Sequence, residues 1–328
     1  MTPTEYNAVQ ACPTTLFEPA TKPTMYFIGV TTGKSSIMKV FPKWAEYLKF
    51  GHVQIRGIDC KLHDDRRTYR RVVEFIKRDP LSRGALVTTH KLDLLNAAAD
   101  LFDDLDPYAK LLGEVSGIAK RGEKLVGYAK DPQTSGLALQ AILPARYWEH
   151  TGAELLLLGA GGSAIALTLY LMQPEHGKNR PAKIVVSARN AARLKEFDVL
   201  CGKLGNGVPM AFHHAPLPQD SDAVVGALKP CSMVINATGL GKDAPGSPIT
   251  SAANFPLNGI AWDFNYRGDL LFLDQARAQA KQRQLRIEDG WVYFLHGWQR
   301  VIAEVFQANI PTSGPVFDEM SALAAAAR

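Results

Sequence analysis

Four consecutive leucines, Leu155–Leu158, stand between a polar segment and a run of glycines. A short stretch that is apolar at every position suits a strand covered on both faces, as in a parallel sheet flanked by helices. Residues 183–186, 233–235 and 259–262 read as further strands of this kind. Stretches with apolar residues at helical spacing separate them, over 162–171, 191–204 and 270–284. The first half of the chain alternates in the same way. Strands are predicted over 25–30, 53–58 and 85–89, and helices over 37–48, 65–76 and 92–98. Ser35 or Ser36 is placed to cap the first of these helices. Residues 116–130 carry Arg121-Gly122 between two apolar edges, which predicts a hairpin, and 133–143 predict a connecting helix. An apolar helix over 291–308 and an Ala-rich helix close the chain. This alternation predicts an α/β protein with mostly parallel sheets and helical crossovers.

Composition adds that two domains are expected, because 328 residues exceed the usual size of one core. Hydrophobic residues at 46% leave material for a core in each. The net charge of +5 is mild and its basic residues are scattered. With no basic stripe and no helix-turn-helix, nucleic acid is not an expected partner, whereas an anionic cofactor suits the charge. Cys12, Cys60, Cys201 and Cys231 lie far apart without a Cys-x-x-Cys pair, so no metal site or disulfide framework is expected. No apolar run reaches the length of a membrane span, and the N-terminus shows no signal pattern; a cytoplasmic protein, monomer or homodimer, is expected. Residues 1–24, with four prolines, are expected to form a loose arm.

The segment Gly159-Ala160-Gly161-Gly162-Ser163-Ala164 follows a strand and opens a helix. Gly159 permits a tight turn, and Gly161 lets the backbone approach a pyrophosphate, which the helix N-terminus attracts. The usual third glycine is replaced by Ala164, or is supplied early by Gly162. The next strand ends in Ser187-Ala188-Arg189-Asn190-Ala191-Ala192-Arg193. A site for NAD usually places a carboxylate here, on the ribose hydroxyls, and that charge would repel a 2′-phosphate. This chain instead has Arg189 and Arg193, with Ser187 and Asn190 as hydrogen-bonding neighbours, so NADP is the expected cofactor. The plainer alternative for Arg193 is that it covers a helix face.

Lys91 follows one predicted strand and Asp131 follows the hairpin. Strand ends are where α/β sheets build sites, and a Lys–Asp pair can hold an alcohol and move its proton as hydride leaves. A surface ion pair is the plainer reading of two such charges.

Six segments in one order, from about residue 28 to 306, resemble the shikimate and quinate dehydrogenase family. They are 84–91, ending in Lys91; Lys130-Asp131; Gly159-Ala160-Gly161-Gly162; 188–193; Ile235-Asn236-Ala237-Thr238; and Asp263-Phe264-Asn265-Tyr266. The resemblance implies an N-terminal α/β substrate domain over 25–132, a Rossmann NADP-binding domain over 133–288, and an active-site cleft separating them. It also implies that the helices of 289–328 return to the first domain. It makes Lys91 and Asp131 the catalytic pair, and it places Asn236, Ala237 and Thr238 beside the nicotinamide. On the substrate side it points to Ser35, Thr88, Ser116, Tyr266 and Gln299. There the chain also departs from the family. Ile37 stands where a second serine binds the substrate carboxylate, unless Ser36 substitutes; Ala85 and Ala129 replace asparagines, Val87 a threonine (or Thr88 keeps it, if the register slips by one) and Thr89 a proline. The family glutamine falls two positions before Gln299, so a shifted helix, His296 or Gly297 takes its place, and Tyr293 is a further candidate. His90 reads as a cap for the helix that follows it. A cyclic, carboxylated alcohol less polar than shikimate is the expected substrate. Two other readings stay open: a methylene-tetrahydrofolate dehydrogenase, and a ligand-sensing homologue without catalysis.

Overall fold

The computed structural model describes residues 17–205 and 207–328. Of the expected arm, residues 1–16, Cys12 among them, lie outside these. Phe17 packs its ring on Phe75 at 5.1 Å, and Ala20 is buried, so the described part of that segment is held down. The described residues divide into two compact units, one within 17–129, 301–308 and 322–328, the other within 130–300 and 309–321.

The first unit runs β1 (Thr24–Gly29), α1 (Ile37–Tyr47), β2 (Gln54–Asp59), α2 (Arg66–Arg78), β3 (Ser82–Val87), α3 (Lys91–Ala98), β4 (Asp104–Leu105), α4 (Pro107–Leu112), β5 (Gly117–Arg121) and β6 (Lys124–Tyr128). Its six strands are ordered β2-β1-β3-β5-β6-β4. β1, β2 and β3 are parallel, and the predicted hairpin adds β5 antiparallel to β3 and β6 antiparallel to β5. Tyr26 and Ile28 alternate onto one face, where they meet Val72, Val73 and Ile76 of α2 and Leu94 of α3. Ser36 occupies the N-cap of α1 but makes no capping hydrogen bond with its side chain. His90 also stands at a cap position without capping; its Nδ1 meets the Tyr69 hydroxyl at 2.9 Å instead.

The second unit runs α5 (Asp131–Ile142), α6 (Tyr147–Thr151), β7 (Leu155–Leu158), α7 (Gly162–Leu171), β8 (Ile184–Ala188), α8 (Ala191–Leu204), β9 (Met210–His214), α9 (Pro218–Gly226), β10 (Met233–Asn236), β11 (Ile260–Asp263), α10 (Leu271–Arg283) and β12 (Arg286–Glu288). α11 (Trp291–Phe306) and α12 (Pro315–Ala325) follow, each contributing its last residues to the first unit. The sheet order β9-β8-β7-β10-β11-β12 is all parallel and has the doubly wound pattern of dinucleotide-binding domains. The four leucines of β7 explain it directly. Leu155 and Leu157 enter a core with Leu167 and Leu171 of α7, while Leu156 and Leu158 enter another with Phe272 and Leu273 of α10. Both faces of the central strand are therefore covered, as its unbroken apolar run requires.

Candidate active site

β7 and β10 are hydrogen-bonded neighbours, and the order of connection reverses between them. Crevices at the carboxyl ends of such strands are where open α/β sheets take ligands. Gly159 leaves β7 at this point with φ +113°. A Cβ there would stand 3.0 Å from the Ala237 carbonyl oxygen and from Thr238 Cγ2, so the turn both needs a left-handed residue and has no room for a side chain. Gly161 is the N-cap of α7 and is extended, and no side chain caps the helix. A Cβ on Gly161 would meet nothing within 4 Å, which leaves open space above the backbone. Ala160, Gly162 and Ser163 complete an uncapped, positively polarised helix start that fits a pyrophosphate.

The β8–α8 corner separates the expected clamp residues by role. Arg189 is exposed and makes no ion pair among the described residues. Arg193 Nη1 sits 2.8 Å from Glu196 on an exposed face of α8. Asn190 caps α8 by accepting from the Arg193 N–H at 3.1 Å. Ser187 is not brought to the clamp: it is buried, and its hydroxyl meets that of Ser221 at 2.9 Å. Strand alternation accounts for this, because Ser187 faces inward where Arg189 has already left the strand. His214, at the end of neighbouring β9, places Nε2 3.1 Å from the Arg189 carbonyl oxygen.

Asn236 ends β10 and is fully buried. Its Oδ1 accepts from the Thr238 N–H at 3.0 Å and hydroxyl at 2.6 Å, and its Nδ2 donates to Asp263 Oδ2 at 3.0 Å. Asp263 in turn accepts from the Asn265 N–H at 2.8 Å, and Asn265 Nδ2 donates to the Thr238 carbonyl at 3.0 Å. These three side chains tie together the loops after β10 and β11. Asp263 and Asn265 were legible only as part of a motif, without this role.

Burial pushes the Asp263 carboxyl up to about 6, against the pull of its amide donors and Lys242. The sign follows. The folded value lies above the unfolded one, so the stabilisation is complete below about 4 and is lost as pH rises through about 6. A shift of about two units amounts to about 3 kcal/mol. The urea-unfolding free energy of the wild type is therefore expected to fall, relative to Asp263→Asn, by an amount of that order between pH 4 and pH 7. A difference that stays flat across this window refutes the assignment.

In the first unit, Lys91 begins α3 directly after the β3 corner. Ser35 is buried beside the start of α1. The Thr88 hydroxyl donates to the Ile28 carbonyl at 3.1 Å, and the Ser116 hydroxyl donates to the Tyr128 backbone carbonyl at 3.4 Å. Ile37, Ala85 and Ala129 have no exposed surface, and the two alanines belong to the apolar core. Asp131 begins α5 in the second unit, where its backbone carbonyl accepts from Ser135. Tyr266 packs against Trp291 and Phe294 at 5.4 and 4.7 Å. Gln299 departs from the substrate role expected for it. It is completely buried, and its Nε2 donates to the carbonyls of Ile310 and Pro311, fastening the chain after α11. His296 lies flat on Phe317 at 4.4 Å, and burial pushes its imidazole down to about 4, so it is a neutral core residue. Tyr293 packs on Trp262 and Phe264.

No protein-family model matches the chain. A relative named shikimate dehydrogenase (NADP(+)), from Streptococcus gordonii, is 27% identical over 219 residues, which cover 66% of this chain and 71% of that protein. One of the same name from Lactococcus lactis subsp. cremoris is 26% identical over 183 residues, 56% of this chain and 60% of the relative. A third, from Symbiobacterium thermophilum, is matched over 52% of its length. Among solved structures, shikimate 5-dehydrogenase of Thermus thermophilus in complex with NADP(H) and shikimate superposes with a TM-score of 0.65 at 20% identity, covering 93% of this chain and 99% of that one. The Listeria monocytogenes enzyme in complex with shikimate and NAD gives 0.69 at 15% identity, covering 92% and 96%. These comparisons bear out the resemblance to shikimate dehydrogenases and the α/β fold with its Rossmann unit. Among the described residues no helix is long and apolar enough to cross a membrane.

Proposed function

We propose that this relative of the shikimate dehydrogenases is an NADP-dependent oxidoreductase acting on the secondary alcohol or ketone of a cyclic, carboxylated substrate other than shikimate. The observation that carries this reading is the Gly159 turn at the switch point of the sheet, with Arg189 and no carboxylate at the end of the next strand. The backbone cradle fits a dinucleotide, and solved neighbours of this fold are named with either NADP(H) or NAD, so the choice rests on the two arginines.

Bound NADP supplies the site for hydride transfer. In this reading the N–H groups of Gly162 and Ser163 hold its pyrophosphate, and Arg189 and Arg193 hold the 2′-phosphate at a corner that Asn190 keeps in shape as the cap of α8. The Asn236–Asp263–Asn265 network fixes Thr238, which with Ala237 would line the nicotinamide's side of the site. Lys91 and Asp131 are the proton-transfer groups of this reading, a task that would need both in reach of one oxygen. Ser35, Thr88, Ser116 and Tyr266 are the residues it assigns to the substrate.

Specificity follows from the apolar replacements. A site that lacks partners for buried ring hydroxyls loses about 1–3 kcal/mol for each one left unpaired. With Ile37, Ala85 and Ala129 in place of polar groups, shikimate is expected to turn over at least about a hundredfold more slowly than the preferred substrate. A screen of cyclic hydroxy acids that follows NADPH absorbance checks this. Full activity with shikimate sinks the substrate assignment and leaves the cofactor assignment standing.

A further inference from the structure

Three strands of the first unit, β1, β2 and β3, begin around a cavity of about 390 Å³. Phe50, His52, Arg83, Lys120 and Phe306 line it, and no carboxylate does. The volume lies within the range of small-molecule sites. The assigned residues of this unit, Ser35, Thr88 and Lys91, all follow the carboxyl ends of β1 and β3. A six-residue strand spans about 20 Å, so the cavity is remote from them.

Two details show local construction. First, Thr24 pairs with Ser82 but Met25 pairs with Gly84, so Arg83 is the extra residue of a β-bulge. Gly84 follows with φ +132°, and a Cβ there would run into the Ile118 carbonyl. Bulges re-aim the side chain they carry, and this one carries a cation that lines the cavity. Second, Gly84 pairs with Ala119 across the antiparallel β3–β5 ladder, and one step along that register brings Arg83 opposite Lys120. Like charges directly opposed on a sheet repel.

Nearby negative groups are committed elsewhere. Lys120 Nζ donates to the Asp79 backbone carbonyl at 2.7 Å, and the Asp79 carboxylate takes the Tyr26 hydroxyl at 2.6 Å and the Leu81 N–H at 3.1 Å. Two carbonyls at the end of α11 are likewise taken: that of Glu304 accepts from Arg121 at 2.6 Å, and that of Ala303 from the Ala308 N–H at 2.9 Å. Phe50 and Phe306, which line the same cavity, stack at 4.7 Å, within 13° of parallel, and give it an apolar flank.

We propose that this cavity is a second ligand site, separate from the candidate active site, and that it takes a small aromatic carboxylate. The carboxylate bridges Arg83 and Lys120, and the ring lies against Phe50 and Phe306. Guanidinium binds carboxylate through two parallel donors, and burying an aromatic face adds what an inorganic anion lacks.

Sodium benzoate titrated into the full chain by calorimetry tests this. Saturable binding is expected, weakened at least about tenfold in Arg83→Gln/Lys120→Gln and in Phe306→Ala. Sulfate and benzyl alcohol, which each carry half of the chemistry, are expected to bind at least about tenfold more weakly than benzoate. The double variant should keep its NADP-dependent turnover. Each single cation variant gives a smaller loss, which keeps the test decisive if the double variant does not fold. No saturable heat in the wild type, sulfate binding as tightly as benzoate, or affinity that is unchanged in these variants and lost in Lys91→Ala each overturns the proposal.

Discussion

Replacing Lys91 with alanine is expected to lower kcat by about 10²–10⁴-fold while the protein still folds and binds NADP. That range is what a positioned proton-transfer group contributes. Lys91 opens α3, whose buried residues are Leu94, Leu95, Ala97 and Ala98, so truncating it removes none of the helix's core packing. Its backbone carbonyl, which accepts from the Val115 N–H at 3.3 Å, is untouched by the substitution. Nor does the residue belong to the Gly159 turn or the β8–α8 corner, so dinucleotide affinity should hold. Lys91→Arg sharpens the test. It keeps the positive charge and the donors but does not give up a proton near neutral pH. Substrate affinity should largely return in that variant and turnover should not. Steady-state NADP reduction, a thermal midpoint and an NADP titration on the same preparations separate the outcomes. A variant that loses NADP binding would reassign Lys91 to the cofactor, and an unchanged kcat would remove it from the chemistry.

The parts of this fold that were legible in the chain are those where one force dominates. Leu155–Leu158 could be placed because burial on both faces leaves no polar position, and α7 and α8 begin and end where their apolar spacing says. The edges of the sheet were not legible. β9, Met-Ala-Phe-His-His, is partly exposed and has no clean alternation, and β12 is three residues long. Edge strands are short and carry polar residues, which erases the pattern used to find them. The short helices α4, α6 and α9 fall below the length at which periodicity can be read. In the site, the glycines and arginines were legible because geometry and charge demand those residue types. The fates of Ser187 and Gln299 were not. A serine or glutamine hydrogen-bonds a ligand and a buried neighbour equally well, and only the fold reveals Ser221 or the Ile310 carbonyl as the partner. His214 was missed with its strand.

The charge argument at the β8–α8 corner makes the second large prediction. The double substitution Arg189→Ser/Arg193→Ser is expected to cut kcat/KM for NADP by about a hundredfold while that for NAD stays within about twofold. A hydrogen bond to a charged group is worth about 1.5–3 kcal/mol, and the lower figure applies to groups as exposed as these. Two such losses give about 3 kcal/mol, or about a hundredfold. The two arginines should not contribute equally. Arg189 makes no ion pair among the described residues, so a phosphate meets it without competition. Arg193 must first leave Glu196, but an exposed pair three residues apart on a helix holds it by only a few tenths of a kcal/mol. Glu196→Gln should therefore raise NADP affinity slightly, by less than about threefold, and leave NAD unaffected. Asn190 holds the corner in place as the cap of α8, so Asn190→Ala should weaken both cofactors together, through the shape of the corner rather than its charge. Kinetics with both dinucleotides for all three variants checks the pattern. Equal losses for NAD and NADP in the double arginine variant would show that the arginines shape the corner and do not read the phosphate. Preference for NADP would then need another source, because no carboxylate stands at the end of β8 to reject or select either cofactor.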